Sequence, residues 1–94
     1  ALLGMNDMVS AGMLQGLLEN GVRVPEDISL LGFDDTYLTT ITTPQLTAVD
    51  YDYREFARML VDAAIAAIES EDFPREQLVP PSLSIKKSCA PPRR

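Results

Sequence analysis

The feature that most constrains the fold is a strand, a helix and a second strand within the first 33 residues. Residues 1–5 (ALLGM) and residues 29–33 (SLLGF) form two apolar runs. Between them, apolar side chains recur at helical spacing, at Val9, Met13, Leu14, Leu17 and Leu18. Strand, helix and strand in about thirty residues is the size of a βαβ unit, whose strands are parallel. We therefore predict an α/β fold with a parallel sheet and flanking helices.

Local signals bound this first helix at both ends. Asn6 is a favourable N-cap, because its side-chain oxygen can accept a hydrogen bond from an amide of the first turn. Asp7 follows it and carries the charge that the helix dipole favours there. Gly21 suits the left-handed position just after a helix, and Pro25 favours an extended residue before it, which predicts a turn before the second strand.

The segment after the second strand is less regular. Residues 36–43 (TYLTTITT) are rich in β-branched threonine and are followed by Pro44. This composition predicts a loop or an irregular edge segment rather than a central strand. Residues 46–49 (LTAV) are a candidate for a short strand.

The last part of the chain contains the longest predicted helix. Apolar residues at helical spacing indicate a helix over residues 53–70, which begins at Tyr53 or has Asp52 as its cap. A final strand is predicted around residues 83–85, where leucine and isoleucine alternate with serine. Residues 89–94 (CAPPRR) are predicted to be an unstructured tail.

Charge and composition exclude several function classes. The net charge is −6, and the basic stripe that nucleic-acid binding requires is missing, so we expect no direct contact with DNA from these residues. No apolar run approaches the roughly 18 residues of a membrane span. The sequence has no histidine and one cysteine, Cys89, which can form no internal disulfide. We expect no metal, no cofactor and no membrane partner.

Two polar residues are placed to meet at one edge of the predicted sheet. Asn6 follows the first strand and Asp34 follows the second, and parallel strands bring their carboxyl ends to the crevice where α/β folds bind ligands. The alternative is that Asn6 only caps a helix and that Asp34 and Asp35 only begin a turn. An enzymatic acid–base pair of the two aspartates is less favoured, because adjacent residues leaving a strand point in different directions.

Three segments resemble the LacI/GalR family of bacterial repressors. They are MND before an Ala-Gly helix, NGVRVPEDISLLGFDDT and TPQLTAVDYDYREFA, and the resemblance runs over about residues 1–88. It implies part of a three-layer α/β/α periplasmic-binding-protein-like fold of type I. It also implies a cytoplasmic, dimeric, non-enzymatic regulator that binds a sugar or a similar small polar metabolite between two lobes. DNA would be bound by a helix-turn-helix domain that this sequence lacks.

The resemblance also implies roles for individual residues. Asn6 and Asp34 match positions that hydrogen-bond the effector, and Tyr53 matches an aromatic residue that packs against it. The alternative for Tyr53 is the first core residue of the long helix. The positions that match the family's dimer contacts are Ala11, Ile41 and Thr42. Ordinary surface or core packing is the alternative for these three.

The resemblance further implies how the chain is divided between lobes. Residues 1–50 and 82–88 would belong to the C-terminal lobe, residues 51–81 would cross to the N-terminal lobe, and residues 89–94 would be a tail. The crossings would act as hinges. A departure from the family is Ala48, where a threonine is usual. An alternative is the end of a periplasmic sugar-binding protein of an ABC transporter, but the motifs VPEDIS and PQLTAV favour a repressor.

Overall fold

The computed structural model describes residues 1–69, 72 and 74–93. The chain divides into two compact units, one of Ala1–Asp50 with Ser82–Arg94 and one of Tyr51–Pro81. No helix in the described ranges is long and apolar enough to cross a membrane. The elements in chain order are β1 (Leu2–Leu3), α1 (Asp7–Glu19), β2 (Leu30–Phe33), α2 (Leu38–Ile41), β3 (Thr47–Tyr51), α3 (Tyr53–Ile68) and β4 (Pro81–Ser84).

The strands form one four-stranded sheet in the order β1-β2-β3-β4. β1 pairs with β2 in parallel, with Leu2 opposite Leu30. β2 pairs with β3 in parallel, with Leu31 opposite Thr47. The predicted parallel arrangement of the first two strands is therefore confirmed.

β1 is shorter than predicted because the chain must leave the sheet to begin α1. Gly4 still donates its amide hydrogen to Leu31 O, at 2.9 Å, but it lies against the helix. A methyl group at Gly4 would lie 1.9 Å from Ser10 Oγ and 3.1 Å from Ser10 Cα. Only glycine allows the strand and the helix to approach this closely.

Helix α1 has the predicted caps. Asn6 Oδ1 accepts a hydrogen bond from the Val9 amide at 2.8 Å, and Gly21 follows the helix with a φ of 75°. Leu14 joins the apolar core that α1 forms with the sheet. The buried members of this core are Leu14, Val24, Leu30 and Leu46, and the partly buried residues packed against them are Leu2, Met13, Leu17 and Ile28.

The prediction of an irregular segment over residues 36–43 misses a short helix, α2. Thr39 Oγ1 donates to Thr36 O at 2.8 Å, and Thr40 Oγ1 donates to Tyr37 O at 2.6 Å. The amides of Thr39 and Thr40 also donate to these two carbonyls, at 3.1 Å and 3.0 Å, so backbone hydrogen bonds form the turn. Thr39 is fully buried, which fixes the turn in the first unit.

The second unit contains α3. Asp52 caps this helix, because its Oδ1 accepts a hydrogen bond from the Glu55 amide at 3.0 Å. The predicted last residue, Ser70, lies outside the described residues, and the helix is assigned to Ile68. None of the side chains of α3 is buried. Several of its large apolar side chains are therefore exposed, among them Phe56, Leu60, Val61, Ile65 and Ile68.

The end of the chain lies against the first unit. The final strand ends at Ser84, so Ile85 lies beyond it, contrary to the predicted alternation. The described residues after Cys89 form no helix or strand, but they are attached. The Ala90 amide donates to Ser29 Oγ at 3.0 Å, and Arg93 forms an ion pair with Asp27 at 3.2 Å.

Candidate functional site

The candidate site begins at the carboxyl ends of β1 and β2. Because these strands are parallel, Asn6 and Asp34 follow them at the same edge of the sheet. The side-chain oxygen of Asn6 is used by the cap of α1. Its amide NH2 is therefore the group that can donate a hydrogen bond to a ligand. Capping and ligand binding by Asn6 are compatible, so the two interpretations of this residue do not compete.

Asp34 has an unusual backbone conformation. Its φ is 103°, and that of Asp35 is 56°, so two consecutive non-glycine residues lie in the region that side chains disfavour. The Asp34 amide donates to Val49 O at 2.9 Å, which extends the pairing of β2 with β3 by one residue. Such strain persists only when surrounding contacts hold it, and it is concentrated at ligand-binding sites. This loop therefore has the backbone signature of a functional site.

Asp35 is held by an ion pair. Its Oδ1 accepts from Lys86 Nζ at 2.5 Å and from Thr39 Oγ1 at 3.1 Å. Lys86 Nζ also donates to Ser84 Oγ at 3.0 Å. Burial raises the pKa of Asp35, but hydrogen bonds from Lys86, Thr39 and Ser84 outweigh this effect, so its pKa lies below the usual range. The carboxylate of Asp35 thus has a structural role in the first unit.

The residue that sequence reasoning did not identify is Asp7. Its side chain is 1% exposed, and its Oδ2 accepts a hydrogen bond from the Thr36 amide at 2.5 Å. The sequence suggested only a favourable charge near a helix N-terminus. The sequence signal that could have indicated the burial of Asp7 is Gly32. A methyl group at this position would lie 2.6 Å from Asp7 Oδ1. A glycine inside a strand often marks such a close approach.

Tyr53 lies in the second unit, as the first residue of α3. Tyr53 is 45% exposed within the part of the chain that the structure describes. Its ring lies 4.6 Å from that of Tyr51, measured between centroids, and Tyr51 meets Phe56 edge-on at 5.5 Å. The three rings form an aromatic cluster within the second unit.

The residues that match dimer contacts lie on α1 and at the end of α2. Ile41 is 66% exposed, and Ala11 and Thr42 are partly buried. A groove of about 370 Å³ lies between α1 and the two residues that follow α2. Its lining residues are Ala11, Leu14, Gln15, Leu18, Glu19, Thr42 and Thr43. The groove is thus mainly formed by one face of α1.

The acidic side chains of the first unit do not form a metal centre. Across the part of the chain that the structure describes, no group of three or more histidine, cysteine, aspartate or glutamate residues could hold a metal ion. Asp7 and Asp35 are instead engaged by a backbone amide and by a lysine, respectively.

Comparison with known proteins gives a consistent result. Residues 1–89 match the model of the periplasmic binding protein-like domain. The lactose operon repressor of Escherichia coli strain K12 is 33% identical over 92 residues, which cover 98% of this chain and 26% of that protein. The transcriptional repressor PurR of Haemophilus influenzae strain PittEE is also 33% identical, covering 94% of this chain and 27% of its own length. The chain thus spans about a quarter of these curated relatives.

Solved structures show the same fold. The lac repressor dimer bound to operator and the anti-inducer ONPF has a TM-score of 0.81 at 32% identity, covering 93% of this chain and 30% of that one. A LacI-type transcription regulator from Bifidobacterium animalis subsp. lactis DSM 10140 has a TM-score of 0.80 at 30% identity, covering 94% and 32%. These relatives are transcription regulators, which does not favour the transporter alternative. The chain therefore belongs to the periplasmic binding protein-like domain family and is of the LacI/GalR type.

Proposed function

We propose that this chain is the effector-binding region of a LacI-type transcriptional repressor. In this proposal, a sugar or a similar small polar metabolite binds in the cleft between two lobes, and its binding changes the affinity of a helix-turn-helix domain for DNA. The chain itself carries no basic stripe, with a net charge of −6, so DNA binding is assigned to the domain that precedes it in such regulators. The protein is a regulator rather than an enzyme, and it acts in the cytoplasm.

The observation that carries the proposal is the conformation of Asp34. A φ of 103° at a non-glycine residue costs conformational energy, and residues strained in this way cluster at ligand-binding sites. An ionised carboxylate accepts hydrogen bonds from ligand hydroxyls, and the amide of Asn6 at the same edge supplies a donor. This combination suits a polyhydroxylated ligand. Tyr53 is assigned to effector binding from the family resemblance alone.

The two compact units are assigned to the two lobes. We assign residues 1–50 and 82–88 to the C-terminal lobe, with residues 89–94 as its tail, and residues 51–81 to a segment that crosses to the N-terminal lobe. We also assign Ala11, Ile41 and Thr42 to a homodimer interface. The exposure of Ile41 and the groove beside Ala11 and Thr42 support this assignment. The lac repressor, which this chain resembles, has been solved as a dimer.

The proposal is tested on the complete gene product with a panel of pentoses, hexoses and purine bases. Thermal-shift measurements identify compounds that raise the melting temperature, because a ligand that binds only the folded state stabilises it. The same compounds are then added to the protein bound to fragments of its own genomic DNA. We expect at least one compound to stabilise the protein and to change the amount of DNA retained. A compound that stabilises the protein without any effect on DNA retention would contradict the regulatory function.

A further inference from the structure

The loop that carries Asp34 is fixed by contacts on both of its sides. On one side, the Asp34 amide donates to Val49 O in the neighbouring strand. On the other side, the amide of Thr36, two residues later, donates to the buried carboxylate of Asp7 at 2.5 Å. The second contact joins the loop to the first turn of α1, an element 29 residues away in the chain. The positive-φ residues Asp34 and Asp35 therefore belong to a three-residue segment whose first and last amides are both anchored.

The carboxylate of Asp7 has little freedom to move. Its side chain is 1% exposed, and Gly32 lies so close that a methyl group there would be 2.6 Å from Oδ1. Oδ1 accepts no hydrogen bond from the described residues, so Thr36 is the group that Asp7 holds within this part of the chain. Burying a polar acceptor whose second oxygen accepts no hydrogen bond from the described residues costs free energy.

Asp7 also connects the two candidate ligand-binding residues. It follows Asn6 directly in the chain, and Asn6 is fixed by its cap on the Val9 amide. Because Asn6 caps α1 and Asp7 is its first residue, the hydrogen bond from the Thr36 amide to Asp7 links the Asp34 loop to Asn6. A ligand that bridges Asn6 and Asp34 would depend on this distance to within a fraction of an ångström.

We propose that Asp7 is a positioning residue that holds Asp34 in its ligand-binding conformation. It does not contact the ligand. It acts through the Thr36 amide, which keeps the loop after β2 in the positive-φ conformation. The effect on ligand affinity rests on the proposed function, whereas the effect on the loop does not.

The test uses the complete gene product with three variants. Asp7→Ala removes the acceptor, and Asp7→Asn keeps an oxygen that can accept from the Thr36 amide. Val24→Ala is the matched control, because Val24 is 5% exposed in the apolar core and forms none of the hydrogen bonds described above for this loop. Hydrogen exchange at the Thr36 amide, localised to single residues by mass spectrometry, reports on the loop without any ligand. Calorimetry with the tightest-binding pentose, hexose or purine base of the panel reports on affinity.

We expect Asp7→Ala to speed exchange at Thr36 by about 10-fold or more, as local opening does when its hydrogen bond is lost. Asp7→Asn should stay within about 3-fold of the original rate. Affinity for the panel compound should fall by about 10-fold in Asp7→Ala. It should stay unchanged in Asp7→Asn and Val24→Ala. Val24→Ala should lower the melting temperature but leave exchange at Thr36 and the affinity unchanged, which separates positioning from general stability.

Two results would overturn the inference. Unchanged exchange at Thr36 in Asp7→Ala would show that Asp7 does not hold the loop. Faster exchange with unchanged affinity would show that the loop position does not govern binding. If no panel compound binds the unmodified protein, the proposed function fails, and the exchange measurement still decides whether Asp7 holds the loop.

Discussion

The close approach of β2 to α1 gives a sharp prediction for Gly32→Ala. A methyl group at this position would lie 2.6 Å from Asp7 Oδ1 and 3.4 Å from Ala48 Cβ. The first distance is about 0.8 Å shorter than ordinary van der Waals contact, so the carboxylate of Asp7 must move. It cannot move freely, because its Oδ2 accepts from the Thr36 amide. The substitution should therefore destabilise the fold and disturb the loop together.

The magnitude follows from two opposing effects. An extra methyl group in a tightly packed interior costs about 1–3 kcal/mol. Replacing glycine by alanine at an ordinary φ restricts the unfolded chain and stabilises the protein by about 0.4–1 kcal/mol. The net loss for Gly32→Ala should be on the order of 1–2 kcal/mol. In an Asp7→Ala background the obstructing oxygen is absent, so the same substitution should be neutral or slightly stabilising.

Urea unfolding of the four proteins in this double-mutant cycle measures the coupling. We expect a coupling free energy of about 1–3 kcal/mol, within the range of residues in direct contact. The expected sign is that Asp7→Ala rescues Gly32→Ala. If Gly32→Ala costs the same free energy in both backgrounds, within about 0.5 kcal/mol, the contact between the two residues is not the source of the loss.

Three further predictions concern the first unit. Gly16→Ala, in the interior of α1 where a methyl group meets nothing within 4 Å, should raise the free energy of unfolding by about 0.5–1 kcal/mol in urea titrations. Ser88→Ala should lower the free energy of unfolding by about 1–3 kcal/mol, because the buried Ser88 hydroxyl accepts from the Thr47 amide at 2.9 Å. A smaller loss would mean that a water molecule replaces the hydroxyl. Asp35→Asn should destabilise the protein at pH 7, because Lys86 loses its partner. The pKa of Asp35 is lowered in the folded state, so its contribution to the free energy of unfolding is complete above the unfolded pKa of about 3.9. This contribution is lost as the pH falls through the folded pKa. Melting temperatures of the variant and the parent should therefore converge at low pH.

Much of the fold follows from local sequence signals. The βαβ unit was predictable because α1 has its cap at Asn6, its left-handed residue at Gly21 and apolar residues at helical spacing between them. The parallel pairing of β1 with β2 follows from the length of that connection. The turn of α2 was not predictable from β-branched content, because tertiary packing overrides local propensity there, and Thr39 is fully buried.

The candidate site is predictable in part. The position of Asp34 after a predicted strand indicates the edge of the sheet, but nothing in the local sequence indicates its φ of 103°. The hydrogen bond from Thr36 to Asp7 joins residues 29 positions apart, and the ion pair of Asp35 with Lys86 joins residues 51 positions apart. Spacing and propensity describe neighbours in the chain, so they do not reveal contacts of this kind.

The central claim is that Asp34, rather than Asp35, is the carboxylate that binds the effector. The direct test is calorimetric titration of the tightest-binding panel compound into the complete gene product and into its Asp34→Asn and Asp35→Asn variants. A hydrogen bond to a charged acceptor contributes on the order of 1.5–3 kcal/mol, so Asp34→Asn should weaken binding by roughly one to two decades. Asp35→Asn should change the affinity much less, because that carboxylate is paired with Lys86. Equal losses, or a larger loss in Asp35→Asn, would contradict the assignment.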